Sequence, residues 1–271
     1  MPTGFDGDGA PVVARSADLI RRETGRHWRH AAFGAVALLP AVALAGPPFR
    51  TDDPGVVEQG HCEFLPFYSQ TLAASGRSGA LPGLEIHFGA MDRLELDLVV
   101  QEAFNTPTGA STQRGYGDTE IAMKYQFIQE TETLPAVGFV PNFVFPTGNA
   151  DRGLGNGGSQ IFLPLWIMKS VGNFTTYGGG GYWFNNGSGN RNDWFFGWVA
   201  QYQLSEKWTL GGEIFHSTPQ TVAQGASTGS SLGGYYQIDQ RTQLLFSAGR
   251  GLQDAAQTNR VSTYVGCLFS F

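Results

Sequence analysis

Twelve polar side chains, Glu63, Glu85, His87, Arg93, Glu95, Asp97, Asp118, Glu120, Lys124, Gln126, Gln201 and Glu213, fall on one face of the strands that a two-residue period predicts. Carboxylates gathered this densely, with two or three cations among them, support two kinds of chemistry. They can form a selectivity surface for cations, or for polar and aromatic solutes, along a water-filled passage. They can also form a salt-bridged filling of a narrow barrel interior. Most of the charges come from the first four predicted strands, which makes one wall of such an interior acidic.

Other residues that could do chemistry do less. His216 and Ser217 are adjacent, and adjacent strand residues point to opposite faces, so within one regular strand they cannot pair as base and nucleophile. A serine from another strand could still meet His216, which is otherwise read as a residue at the membrane interface. No catalytic residue is assigned and the reading is non-enzymatic. The glycine runs Gly178 to Gly181 and Gly153 to Gly158 do not lead from a strand into a helix, as a phosphate cradle requires. Asn149, Asp151, Gly155 and Asn156 match no defined calcium loop. Cys62 and Cys267 make neither a disulfide framework nor a zinc site, although closure of a barrel would make their strands neighbours. No metal and no cofactor is implied.

The elements that must position these groups show alternation instead of long apolar blocks. Arg93 to Leu98 sets three charges against three leucines, and Asp118 to Phe127 repeats the pattern. Trp194, Phe196, Trp198, Ala200 and Tyr202 share one face opposite Gln201 and Gln203, while Trp208, Leu210, Gly212 and Ile214 oppose Glu213. Aromatics near both ends of strands about ten residues long suit the two interfacial girdles of a membrane barrel. From His61 onward the sequence predicts twelve strands whose connections alternate short and long. The long ones are Thr71 to Gly79, Asn105 to Gly115, Thr147 to Gly158, Asn185 to Asn192, Ser217 to Ser227 and Gly251 to Gln257. Short turns on one side and long loops on the other belong to an outer-membrane barrel, with both termini in the periplasm. The last strand alternates as far as Phe271, the kind of aromatic terminal strand that addresses a barrel to the barrel-assembly machinery.

The remaining segments fit export. Arg21, Arg22, Arg26 and Arg29 precede an apolar stretch from Ala31 to Ala45, and Ala43-Leu44-Ala45 has the small-x-small form of a cleavage site. Residues 1–45 are read as a signal peptide with a long n-region, cleaved after Ala45. Residues 46–60, with Pro47, Pro48, Pro54 and Asp52-Asp53, form an irregular lead segment at the periplasmic mouth or folded into the lumen, and residues 61–271 form the barrel. The whole chain has 17 basic and 23 acidic residues, of which five and four precede residue 46, so the mature chain is acidic by seven. That balance excludes nucleic acid as a partner, which needs a basic stripe.

An ordered set of motifs is similar to one family. The set runs through Pro47-Pro48-Phe49 with Thr51-Asp52-Asp53-Pro54, Gly60 with Glu63-Phe64, and Leu84-Glu85-Ile86 with Asp92 to Leu96. It continues through Gly117 to Glu120 with Lys124-Tyr125, Pro146 to Asn149, Gly153 to Gly157, Tyr177 to Tyr182 and Trp194 to Trp198. On these residues the chain resembles the outer-membrane proteins of the meta-pathway of phenol degradation, usually described as transporters. The resemblance implies an all-β antiparallel transmembrane barrel of about twelve strands, a single domain after its signal peptide, in a Gram-negative outer membrane. It carries over no catalytic residues, and tryptophan is expected where Cys62 stands. The function expected is a porin-like channel or facilitating transporter. It would pass small solutes, aromatic or cationic among them, through a polar, partly acidic lumen in contact with outer-membrane lipid. The alternatives are a lipid-active enzyme and a closed structural or adhesive barrel.

Overall fold

The computed structural model describes residues 47–271. The expected signal peptide, with cleavage after Ala45, lies outside the described residues. The first strands are β1 (Cys62–Ala73), β2 (Gly76–Met91), β3 (Leu94–Pro107), β4 (Gln113–Tyr116), β5 (Thr119–Ile128), β6 (Ala136–Phe139) and β7 (Asn142–Phe145). They are followed by β8 (Gln160–Val171), β9 (Phe174–Asn185), β10 (Asp193–Gln203), β11 (Trp208–Ser217), β12 (Ser227–Gln237), β13 (Thr242–Gln253) and β14 (Val261–Ser270). The helical pieces are single turns at Ala150–Arg152 and Ala255–Thr258. Among the described residues no helix is long and apolar enough to cross a membrane.

The fourteen strands make twelve staves. β4 and β5 both pair with β3, and β6 and β7 both pair with β5, so each couple is one interrupted stave. The first break falls at Gly117-Asp118. The second falls at Val140-Pro141, where the proline has no N–H to give the ladder. All pairings are antiparallel, and β1 with β14 closes the ring. The result is the closed twelve-strand antiparallel barrel that the alternation predicts.

Facing follows the two-residue period. Along β10, Trp194, Phe196, Trp198 and Tyr202 are about half exposed on the outer surface, while Asp193, Phe195, Val199 and Gln201 are buried inside. In β9 the run Gly178 to Gly181 gives the outer rings room. Gly178 is paired with Trp198 and Gly180 with Phe196, and a β-carbon on either glycine would stand 2.4 Å from the facing ring. The core is the barrel interior, where Phe162, Trp166, Phe195 and Phe215 form one cluster and Leu65, Tyr235, Leu245 and Leu268 another.

Two expectations change, and the seam keeps the two cysteines apart. Thr71 to Gly79 is not a long loop, because β1 and β2 continue through it and turn at Ala74-Ser75. Arg93 is not on an inner strand face; it sits in the β2–β3 turn at φ 62°, paired with Asp92 at 3.2 Å. The two cysteines do not meet at the seam. Cys62 exchanges backbone hydrogen bonds with Phe271, so Cys267 stands four residues further along β14. At about 3.3 Å per residue that is far beyond the roughly 7 Å a disulfide spans, and both thiols are free.

Candidate functional site

The lead segment lies inside the barrel and is held there from nearly every side. Pro48 O accepts the Ser247 hydroxyl at 2.6 Å, and Phe49 is buried among Ala136, Met168, Tyr177 and Val199. Thr51 donates its N–H and its hydroxyl to one oxygen of Glu213, at 2.6 and 2.7 Å, while Ser231 donates to the other at 2.9 Å. Asp52 pairs with Lys124 at 3.0 Å, Pro54 O accepts from Gln126 at 3.0 Å, and Val57 N–H donates to Glu95 at 2.5 Å. A segment rich in proline cannot supply a continuous ladder of its own, so its polar backbone groups find partners on wall side chains. The wall makes room with glycines: a β-carbon on Gly197 would meet Thr51, one on Gly138 would meet Pro54, and one on Gly89 would meet Val57 and Glu58.

The charged side chains of β2, β3 and β5 are mostly engaged with one another and with the lead segment. His87 and Asp97 are cross-strand partners bonded at 2.9 Å, with Glu95 3.6 Å and Glu85 3.7 Å from the imidazole. Glu95 and Lys124 are likewise partners between β3 and β5, 3.8 Å apart and both buried. Donor atoms of His87, Glu95 and Asp97 lie within 4.8 Å of one another, the size of a cation site. The oxygens of Glu95, however, already face Lys124, His87 and the Val57 N–H.

The other predicted residues divide between wall and loops. Glu63 is buried and accepts from Ser270 at 2.8 Å across the seam, and Glu120 accepts from Asn142 at 3.2 Å. Gln201 is buried on the inner face of β10. Asp118 does not face an open lumen. From the break between β4 and β5 it accepts the N–H groups of Gly148 at 2.9 Å and Asn156 at 2.7 Å, and so orders the loop Thr147 to Gly158. In that loop Asn149 caps the turn by accepting from Arg152. His216 bonds the Thr228 hydroxyl at 2.9 Å, and no histidine–serine hydrogen bond occurs among the described residues.

A feature that facing alone did not reveal is an aromatic inner wall on β8 to β11, opposite the charged one. Phe162 stacks on Trp183 at 4.5 Å and meets Trp166 and Phe195 edge-on, and Phe195 stacks on Phe215 at 6.3 Å. Arg50 of the lead segment lays its guanidinium over Phe215 and Phe195, 4.6 and 5.5 Å from their centroids. The available signal was Trp194-Phe195-Phe196, in which aromatics occupy both faces of one strand.

Two cavities flank the lead segment. One of about 210 Å³, at the end with the short turns, is lined by Pro47, Val57, Glu63, Leu65, His87, Glu95, Lys124 and Leu268 among others. The other, about 480 Å³, lies under the loops and is lined by Pro48, Arg50, Ser69, Gln70, Thr71, Glu213, Phe215, Gln220, Ser262 and Tyr264 among others.

A family model described as "Putative MetA-pathway of phenol degradation" matches residues 84–264, more than half of the chain. The fold is similar to that of the COG4313 outer membrane channel from Pseudomonas putida F1, at 16% identity and TM-score 0.63, covering 84% of this chain and 100% of that one. It is also similar to the KdgM porin, solved in complex with disordered oligogalacturonate, at 11% identity and TM-score 0.53, covering 78% and 99%. The NanC porin matches at 9% identity and TM-score 0.54, covering 77% and 98%. No curated protein matches the sequence. The fold is that of outer-membrane barrels.

Proposed function

The chain belongs to the family described as "Putative MetA-pathway of phenol degradation", and from that premise we propose that it is an outer-membrane channel through which small solutes move down their gradients. The observation that carries the reading is the pair of cavities separated by the lead segment, one open to the loops and one at the turn end. A barrel serving only as an anchor needs neither. A solute entering under the loops meets Phe215 and the aromatic wall on one side and the lead segment on the other, and leaves past Glu63 and His87. Of the aromatic and cationic classes the sequence suggests, the lumen favours the aromatic one, because Glu95, Asp97 and Glu213 are bound to the lead segment, to Lys124 or to His87. The lead segment restricts passage, and its docking sets how much of the time the channel conducts.

The same reading has the protein exported by its signal peptide, residues 1–45. It is then inserted by the barrel-assembly machinery through the strand that ends at Phe271, with Trp194, Phe196 and Trp198 against lipid. The test is conductance of the purified, folded protein in a planar bilayer, together with uptake of small aromatic solutes into liposomes. A steady current with solute uptake supports the channel. Silence in both assays would sink it and leave a closed structural or adhesive barrel.

A further inference from the structure

The cavity under the loops contains a cation that the lumen leaves without a partner. Arg50 stands between two anchored neighbours, Phe49 in its apolar cluster and Thr51 on Glu213. With residues 49 and 51 both fixed, residue 50 is held between them, exposed and lining the cavity. The rings of Phe215 and Phe195 lie within cation–π distance of its guanidinium. Among the described residues it has no hydrogen bond and no carboxylate within ion-pair distance. Glu213 and Asp193 are near enough to act on its charge, yet Glu213 is bound to Thr51 and Ser231, and Asp193 to Gln220.

We infer that this cavity is a binding site for a small solute bearing a single carboxylate, which pairs with the free N–H edge of the Arg50 guanidinium. The planar guanidinium presents its donors as a fork, the geometry that matches a carboxylate. Hydroxyls and amides of Ser69, Gln70, Thr71 and Ser262 line the rest of the cavity and offer donors to the remaining lone pairs. With two carboxylates already near the single guanidinium, a second negative charge on the solute adds repulsion with no further cation to meet it, which selects a monoanion over a phosphate dianion. The inference rests on the channel reading of the same lumen and names the chemistry that the lumen takes.

The test is calorimetric titration of benzoate into the folded, full-length protein in detergent micelles, with benzamide as its neutral counterpart. Benzoate is expected to bind saturably, with benzamide weaker by about tenfold or more, the worth of one charge-assisted hydrogen bond. Arg50→Gln should lose about the same factor, and Arg50→Lys, which keeps the charge without the fork, should fall between. Phe215→Leu leaves the charge and the lead segment's anchors in place but removes a ring beneath the guanidinium, and should also weaken benzoate. No benzoate binding, equal binding of benzoate and benzamide, or full affinity in Arg50→Gln overturns the inference. Because binding is read without flux, a protein that conducts but ignores benzoate defeats this inference alone. One that binds benzoate yet passes neither ions nor solutes defeats the channel reading alone.

Discussion

A β-carbon built on Gly197 would stand 1.8 Å from the Oγ1 of Thr51, so the wall of β10 and the lead segment meet with no space for a side chain between them. Substituting Gly197→Ala forces either the strand to bend or the threonine to withdraw. β10 is paired along its length with both β9 and β11, whereas Thr51 is held by its bonds to Glu213, so the lead segment is the softer partner. The expected result is a higher single-channel conductance in Gly197→Ala at the same salt, with the folded barrel's heat-dependent electrophoretic shift unchanged. An unaltered conductance would show that the lead segment does not limit passage.

Asp53 gives the same docking a pH dependence. It is fully buried, and one carboxylate oxygen accepts the Gly55 N–H at 2.6 Å. Burial pushes its carboxyl up to about 7, with Lys124 pulling the other way. Free in water an aspartate titrates near about 4. The docked segment therefore holds a proton that the released segment gives up. That contribution to docking is complete below about pH 4 and is lost as pH rises through about 7. Conductance should accordingly climb between about pH 4 and 7 and level off above that, and Asp53→Asn should flatten this part of the profile. A rise of equal size in Asp53→Asn would assign the titration to other groups.

The difference between what alternation reveals and what it hides is clear from these residues. Leu94, Leu96 and Leu98 against Glu95 and Asp97 determine both the strand and its inward face, because one side must be apolar against lipid. Arg93 fails by a single position: the turn demands a left-handed residue there, and a period of two does not say where a strand begins. The place of Pro47 to Gly60 was not legible, since an irregular segment has no period, and Gly89, Gly138 and Gly197, which make room for it, look like ordinary strand glycines. The aromatic inner wall was partly legible. Phe195 alternates with Trp194 and Phe196, but one strand read alone does not show that Phe162, Trp183 and Phe215 converge on it from three others.

The seam between β1 and β14 makes a chemical prediction. Closing a barrel staggers the ends of its strands, and here Cys62 reaches the end of β14 at Phe271 while Cys267 lies inside the strand. Intact mass of the unreduced protein, denatured in excess iodoacetamide, should show two added carbamidomethyl groups. A mass with none added would require a register different from Phe64 opposite Phe269 and Phe67 opposite Gly266.

Lys124 joins the lead segment to the wall, and its loss should be felt in both. Its ammonium lies 3.0 Å from Asp52 and 3.8 Å from Glu95, and the lysine and Glu95 side chains are both almost wholly buried. Lys124→Met keeps the apolar stem and removes the charge, leaving the Glu95 carboxylate with the imidazole and one backbone N–H. Stranding one member of a buried pair costs about 3–5 kcal/mol, whereas neutralising both is often close to harmless. Lys124→Met should therefore lower the urea midpoint of the folded protein in micelles, and Lys124→Met with Glu95→Gln should recover much of the loss. Asp52, partly exposed, should release the lead segment more readily in the single variant, giving faster proteolysis within residues 47–60 at unchanged barrel integrity. Additive effects of the two substitutions in the double-mutant cycle would show that Lys124 and Glu95 act independently, and that the short Asp52 contact alone holds the ammonium in place.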